Sequence, residues 1–237
     1  MAPINSFSQT IKNLELQTMN STYKYLLFSL LILKGAILPA QEIRNSPPNP
    51  SIPIELLIGD NKMNYQSTLN RNIYGKLGFF NLTSAAVDYK NTSSQTEIVL
   101  INAGTYKLIK GLQGMAGAQL HFKKGLVPLA GFQWVYANPK WLIVYSPALH
   151  FLHYNSLENM LFVEYKMPLK NNLRWFNRLQ GMYEQNYAVG SHDRSFVNIR
   201  SGLGFGKIVL AISYNLDYYG PSKIRKDNKG LVLRIDL

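Results

Sequence analysis

Hydrophobic and polar residues alternate one by one through much of the second half of the chain. From Ile208 to Tyr218 every second residue is large and apolar, while the intervening positions include Ala211, Ser213 and Asn215. The carboxyl-terminal segment 230–237 alternates in the same way and ends on an apolar residue. A period of two predicts β-strands with one apolar face and one polar face.

The alternating segments are long and follow one another closely. Eleven strand candidates can be traced in 54–237, and several run for ten or more residues. Soluble strands are usually about 5–6 residues long, whereas a tilted strand needs about 9–11 to cross a bilayer. Because bacterial single-chain barrels have even strand numbers, we expect about 12 strands, with 10 as the alternative. The missing strand is expected around Pro53–Tyr74.

The predicted fold is therefore an all-β, antiparallel up-and-down transmembrane β-barrel, with its apolar face towards lipid and its polar face lining the interior. Composition agrees, since charged residues are 16% and aromatic residues 12% of the chain. The chain has no cysteine, which excludes disulfides, a thiolate nucleophile and cysteine-bound zinc. A soluble β-sandwich remains compatible with composition alone.

The amino terminus has the order of a secretory signal peptide. Lys24 precedes the apolar run Tyr25–Leu33, and Leu38-Pro39-Ala40 forms a cleavage site before Gln41. The run is far shorter than the roughly 20 residues of a spanning helix. We predict a signal peptide at 1–40, with an upstream extension if Met19 is the true start, then an extended proline-rich linker at 41–53 and the barrel at 54–237.

A barrel with a periplasmic carboxyl terminus fixes which connections face outside. Pro168–Asn172 and Phe205–Lys207 become periplasmic turns, whereas Ala188–Ser195 and Gly220–Lys229 become external loops. The predicted location is thus the bacterial outer membrane.

The formal net charge of the chain is +12. The basic residues are spread along the sequence and no nucleic-acid motif collects them, so nucleic acid is not an expected partner. An anionic lipid surface or an anionic solute suits this charge better. The external segment Ser222–Lys229 clusters cations against a single acidic residue, Asp227. It holds four cations that we expect to be either solvated or in contact with lipopolysaccharide phosphates: Lys223, Arg225, Lys226 and Lys229.

A cluster of charges is predicted on the inward faces of the strands. It consists of Arg174, Arg178, Arg200 and Arg234 with Glu164, Glu184, Asp217 and Asp236. Because buried charges must be paired, the cluster predicts either a salt-bridged interior plug or a basic constriction that passes small anions.

No motif indicates an enzyme or a cofactor, and neither a catalytic residue nor a metal site is assigned. His121 and Ser213 lie on polar faces of separate strands, and nothing in the sequence brings them together. His150 and His153 are an odd spacing apart and face opposite sides, while His192 is expected in a loop with Asp193 and Arg194. The glycines of 202–206 lie on a strand, where they relieve crowding or allow curvature.

Four stretches of strand and turn carry a resemblance to a group of known proteins. They are Gly78-Phe79-Phe80-Asn81, Trp134-Val135-Tyr136-Ala137-Asn138, His192-Asp193-Arg194-Ser195 and Leu216-Asp217-Tyr218-Tyr219-Gly220-Pro221. With them, residues 54–237 resemble small outer-membrane β-barrel proteins of the Bacteroidetes type. The resemblance implies fold and location and carries no activity.

The expected function is a narrow channel for small solutes, or a structural or assembly component of the outer membrane. The alternatives are a barrel-embedded lipid-modifying hydrolase and a secreted soluble β-protein that binds an apolar ligand. Expected partners are outer-membrane lipid, including lipopolysaccharide, and the barrel-assembly machinery during insertion. The sequence does not fix the oligomeric state.

Overall fold

The chain folds into antiparallel strands joined by short connections. A computed structural model describes residues 49–90, 96–151 and 155–237. The signal-peptide prediction and most of the predicted linker lie outside these residues. Twelve strands are described: β1 Pro53–Gly59, β2 Lys62–Tyr74, β3 Leu77–Asp88, β4 Glu97–Ile109, β5 Leu112–His121, β6 Gly125–Ala137, β7 Trp141–His150, β8 Ser156–Pro168, β9 Leu173–Asn186, β10 Ser191–Phe205, β11 Ile208–Tyr219 and β12 Ile224–Asp236.

These strands form one closed barrel in which each strand pairs with its neighbours in sequence and β1 pairs with β12. The closing register aligns Pro53 with Asp236 and Gly59 with Gly230. The predicted fold class and the preferred count of 12 are therefore confirmed. The strand missing from the sequence count lies where it was expected, because the chain turns at Asp60 and Asn61 and divides that region into β1 and β2.

The alternation of the sequence is the alternation between the outside and the inside of the barrel. On β11, Leu210 and Ile212 are 63% and 67% exposed, whereas the adjacent Val209 and Ala211 are buried. The same apolar exterior continues around the barrel, through Ile98, Leu120, Leu149, Leu161, Leu179, Ile199, Leu231 and Leu233. Such a surface suits contact with lipid.

The barrel has two ends, which we call the terminal end, where β1 begins and β12 ends, and the loop end opposite it. All three tryptophans of the chain, Trp134, Trp141 and Trp175, project outward near the terminal end. Trp141 packs on Tyr165 with ring centroids 4.4 Å apart. Aromatic side chains collected near one end of a barrel are typical of a membrane–water interface.

The interior is less polar than the sequence predicted. One buried apolar cluster joins β3 to β9 and consists of Phe80, Leu82, Ile101, Ala103, Met115, Leu129, Ala148, Met160 and Met182. A second consists of Leu57, Phe176, Val209, Ala211 and Val232. A barrel of this size is narrow enough for facing side chains to meet, so parts of its interior pack like a protein core.

Two inward-facing glycines lie where the neighbouring strand leaves no room for a side chain. Gly117 on β5 pairs with Ala103, and Gly202 on β10 pairs with Ala211. A Cβ atom on either glycine would overlap the backbone of the neighbouring strand. Of the two roles expected for the glycines of 202–206, relief of crowding is therefore the one that this contact supports at Gly202.

Two predicted external loops are shorter than expected. β10 begins at Ser191 and β12 begins at Ile224, so most of Ala188–Ser195 and of Gly220–Lys229 is strand. The error has a physical source, because polar and charged residues can extend a strand above the lipid-facing band. Alternation of hydrophobicity fades there even though the backbone pairing continues.

Candidate functional site

A water-accessible chamber occupies the interior towards the loop end. Its volume is about 340 Å³, and most of the residues that line it are charged or polar, although apolar side chains such as Leu82 and Phe196 also form part of the wall. Inward side chains of several strands and of the β5–β6 turn contribute to the wall, among them Lys62, Glu97, Lys124, Arg194 and Asp217. The period of two places them there, because each occupies an inward position of its strand or turn.

Four charged side chains cross the interior at the base of this chamber, and we call Glu55, Glu164, Arg178 and Arg234 the belt. Arg178 on β9 donates to Glu55 Oε1 on β1. Arg234 on β12 donates through Nη1 to Glu164 Oε1 on β8 at 2.6 Å and to Glu55 Oε1 at 3.2 Å. These bonds join β1 and β12 to β8 and β9 across the lumen.

The belt is shielded from water and braced by aromatic rings. Its four side chains are only 3–5% exposed. The guanidinium of Arg234 lies 5.0 Å from the ring centroid of Phe176, and that of Arg178 lies 5.1 Å from that of Phe162. Paired, stacked charges of this kind satisfy the condition for burying them.

Three further charges extend the belt. Asp236 accepts a hydrogen bond from Arg234 Nε at 2.7 Å and lies 3.4 Å from Arg174 Nη2. Arg200 donates to Asn215 Oδ1 at 2.6 Å, but its Nε lies 4.0 Å from Glu55 Oε2 and has no hydrogen-bond partner among the described residues. Arg200 is thus the least neutralised arginine at the base of the chamber.

A separate ion-pair cluster lies nearer the loop end. Arg194 on β10 reaches Glu97 Oε2 on β4 and Asp217 Oδ1 on β11, both at 3.0 Å. The Tyr219 hydroxyl donates to the same Glu97 oxygen at 3.2 Å. This cluster also spans the lumen, because β4 faces β10 and β11 across it.

Glu184 organises a third group. It accepts hydrogen bonds from Lys124 Nζ at 2.6 Å and from Ser156 Oγ at 2.7 Å. His150 Nδ1 lies 3.1 Å from Ser156 Oγ and 3.5 Å from Glu184 Oε1. Ser156 is fully buried, so its hydroxyl acts as a structural link rather than as an accessible nucleophile.

All eight residues of the predicted lumen cluster lie on inward positions of their strands. Six belong to the belt or its extension: Glu164, Arg174, Arg178, Arg200, Arg234 and Asp236. Asp217 and Glu184 belong to the two clusters nearer the loop end. Sequence reasoning missed Glu55, Glu97, Lys124 and Arg194. Glu55 had a usable signal, because it lies two positions before Leu57 and therefore on the same inward face of β1.

The structure shows the surroundings of His121 and His192, two of the histidines considered in the sequence. His121 Nδ1 accepts backbone N–H bonds from Lys123 and Lys124, and Ser213 donates to Asn215, so no described contact joins His121 to Ser213. His192 lies in β10 rather than in a loop. His153 lies outside the described residues. No group of described residues has the composition of a metal site.

The four cations of the predicted external segment do not form one surface. Lys223 lies in the β11–β12 turn, and Arg225 and Lys229 point outward beside Tyr214. Lys226 points inward, where its Nζ lies 5.2 Å from the centroid of the Tyr219 ring. The four cations therefore do not form the predicted loop. Arg225 and Lys229 lie on the outer face of β12, Lys223 lies in the turn and Lys226 faces the interior.

Neither a protein-family model nor a curated protein matches the chain. Among solved structures, a KdgM porin is similar at 10% identity and a TM-score of 0.45, over 79% of this chain and 99% of that one.

A NanC porin is similar at 12% identity and a TM-score of 0.45, over 79% of this chain and all of that one. OpdL of Pseudomonas aeruginosa is similar at 14% identity and a TM-score of 0.39, over 73% and 66% of the two chains. All three TM-scores lie below 0.5. The strand pairing of this chain itself establishes a closed 12-stranded antiparallel barrel.

Proposed function

We propose that this chain spans the bacterial outer membrane, with its loop end outside, as a narrow passage for small polar solutes. The apolar exterior and the closed ladder of strands support the membrane location, because a closed barrel satisfies its backbone hydrogen bonds without water. The same exterior disfavours a secreted soluble protein, which would expose those leucines and isoleucines to water.

The observation that carries the proposal is the charged chamber that ends at the belt. A solute entering from the loop end meets the ion pairs of Glu97 and Arg194 first, then Arg200 and the belt. Rings of charged side chains select ions by sign. Because Arg200 is only partly neutralised, the base of the chamber favours small anions. The belt itself is the constriction, and its opening sets the conductance.

Single-channel recording in planar bilayers tests this function. We expect small conductance steps from the native chain, with chloride passing more readily than potassium. Glu55→Gln removes a carboxylate that hydrogen-bonds to two arginines and lies 4.0 Å from Arg200, so the variant is expected to conduct more and to favour anions more strongly. Asp227→Asn is the matched control, because it makes the same chemical change on the outward face of β12.

The two outcomes separate a channel from a structural component. Higher anion selectivity in Glu55→Gln, with the Asp227→Asn variant unchanged, supports the channel. Folded native and Glu55→Gln barrels that conduct nothing would overturn it and support the belt as a rigid plug in a structural or assembly component.

The finer family and partner assignments are part of the same proposal. The Bacteroidetes-type resemblance is supported by the four stretches of strand and turn described above. Lipopolysaccharide contact is supported by the outward side chains of Arg225 and Lys229 near the loop end. The barrel-assembly machinery is proposed as a partner because a chain of this fold must be inserted into the membrane.

A further inference from the structure

A β-bulge at the loop end of β10 places the side chains of His192 and Ser195 on the same outer face of the barrel. His192 aligns with Gln185 on β9, but the next aligned pair is Arg194 with Glu184, so Asp193 is an extra residue. Asp193 and Arg194 both line the interior chamber. His192 and Ser195 consequently share the outside. In a regular strand, residues three apart point to opposite faces.

The hydrogen bonds of His192 determine its tautomer. Its Nδ1 lies 2.7 Å from the carbonyl oxygen of Gly220, and its Nε2 lies 3.0 Å from Ser195 Oγ. A carbonyl oxygen only accepts, so Nδ1 carries the proton and Nε2 presents a lone pair to the Ser195 hydroxyl. This is the arrangement of a serine nucleophile with its general base, oriented by a third group.

The surroundings hold the imidazole in place. His192 is buried against the ring of Tyr183, with ring centroids 5.5 Å apart. Ser195 is only partly covered and lies beside Tyr183 on β9 and Tyr218 on β11. Outward tyrosines near a barrel end sit at the level of lipid headgroups, where the acyl esters of lipids begin.

Arg225 lies close enough to Ser195 to contact a lipid whose ester lies over that serine. Arg225 on β12 aligns with Tyr218, which in turn aligns with Ser195. Two strand spacings separate Arg225 from Ser195, which is about 10 Å. Its side chain is 58% exposed and points outward. A guanidinium at that distance can hold a phosphate while the acyl ester lies over Ser195.

We infer that Ser195 and His192 form an acyl-ester hydrolase site on the outside of the barrel, acting on phosphate-bearing lipids of the outer leaflet. Ser195 Oγ forms a bond to the ester carbonyl carbon while His192 Nε2 takes the hydroxyl proton. The acyl carbon–alkoxy bond then breaks, and His192 returns the proton to the departing alcohol. Water hydrolyses the acyl-serine, releases a carboxylic acid and restores Ser195.

The test uses the full chain, reconstituted separately with two lipid sources, phosphatidylglycerol vesicles and lipopolysaccharide micelles. Released fatty acid is measured, and a fluorophosphonate probe is mapped by mass spectrometry. We expect release from at least one lipid and labelling at Ser195. Ser195→Ala and His192→Gln should each lower release by about 100-fold or more.

Ser201→Ala is the matched control, because Ser201 also points outward from β10 and bonds to Asn177 Oδ1 at 2.9 Å. It should leave release and labelling unchanged. Ser195→Ala keeps the bond between His192 and Gly220, so it carries the test even if His192→Gln fails to fold. A folded native barrel that releases no fatty acid from either lipid, or equal release from Ser195→Ala, would overturn the inference. Neither result bears on conductance.

Discussion

The belt and the larger apolar cluster both fill the interior of the barrel, but they do so by opposite means. The apolar cluster, which includes Phe80, Ile101 and Met160, is held by many weak contacts. The belt is held by a few strong and directional ones between Glu55, Arg178 and other charges. Loss of one methyl group leaves the apolar cluster mostly intact, whereas loss of one belt partner leaves a buried charge unsatisfied. A single substitution should therefore disturb the belt more than it disturbs the apolar cluster. The belt is also the part of the interior that a single substitution can most easily open.

Removing one belt arginine gives the largest expected change in stability. Arg234→Ala leaves Glu164, Glu55 and Asp236 without their shared partner, and breaking such a buried pair costs about 3–5 kcal/mol. Equilibrium urea unfolding in phospholipid vesicles, followed by tryptophan fluorescence, measures the free energy of unfolding. Lys207→Ala, in the β10–β11 turn, is the control and should have little effect.

A double-mutant cycle shows whether that cost comes from the orphaned carboxylate. With Glu164→Ala added, the charge that Arg234 neutralised most directly is gone, so the double variant should cost less than the sum of the two single variants. Strictly additive costs would mean that the 2.6 Å contact between these residues does not couple them in the membrane.

Trimming the apolar cluster should have a smaller effect. Ile101→Val removes one methylene from a side chain that is 6% exposed, and we expect a cost of about 0.5–1.5 kcal/mol. The anion selectivity proposed for the barrel should not change, because no charge at the base of the chamber moves. A loss as large as that of Arg234→Ala would show that apolar packing closes the lumen and would reverse the comparison.

The sequence predicts the wall of the barrel better than its contents. Alternation on β11 assigns Ile212 to the outside and Ser213 to the inside, because this assignment depends on the sequence of that one strand and not on its distant partners. Contacts across the lumen depend instead on tilt and stagger between distant strands. For that reason Arg234 was recognisable as an inward charge, but its partner Glu55, 179 positions away, was not.

Irregular backbone is the second limit on what the sequence predicts. The extra residue at Asp193 has no hydrophobic signature, so the sequence suggested a loop around His192 where the chain forms a bulged strand. Only the observed register shows that His192 and Ser195 share the outer face. Similarly, alternation fades between Ile224 and Lys229, and the cations there could not be assigned to faces.

The exposed cations of β12 differ from the charges of the belt, because the stability of the fold does not depend on them. Arg225 lies 3.7 Å from Asp227 with its side chain 58% exposed, and such solvent-screened surface pairs contribute little to stability. Arg225→Gln with Lys229→Gln should therefore leave unfolding nearly unchanged but weaken lipopolysaccharide association, more at low salt than at high salt. Lys226→Gln is the matched control, because that cation points inward over Tyr219. Co-purification of lipopolysaccharide with each variant measures the effect. Equal amounts in the double variant and the native chain at both salt concentrations would rule out this contact and leave the two cations as solvated surface charges.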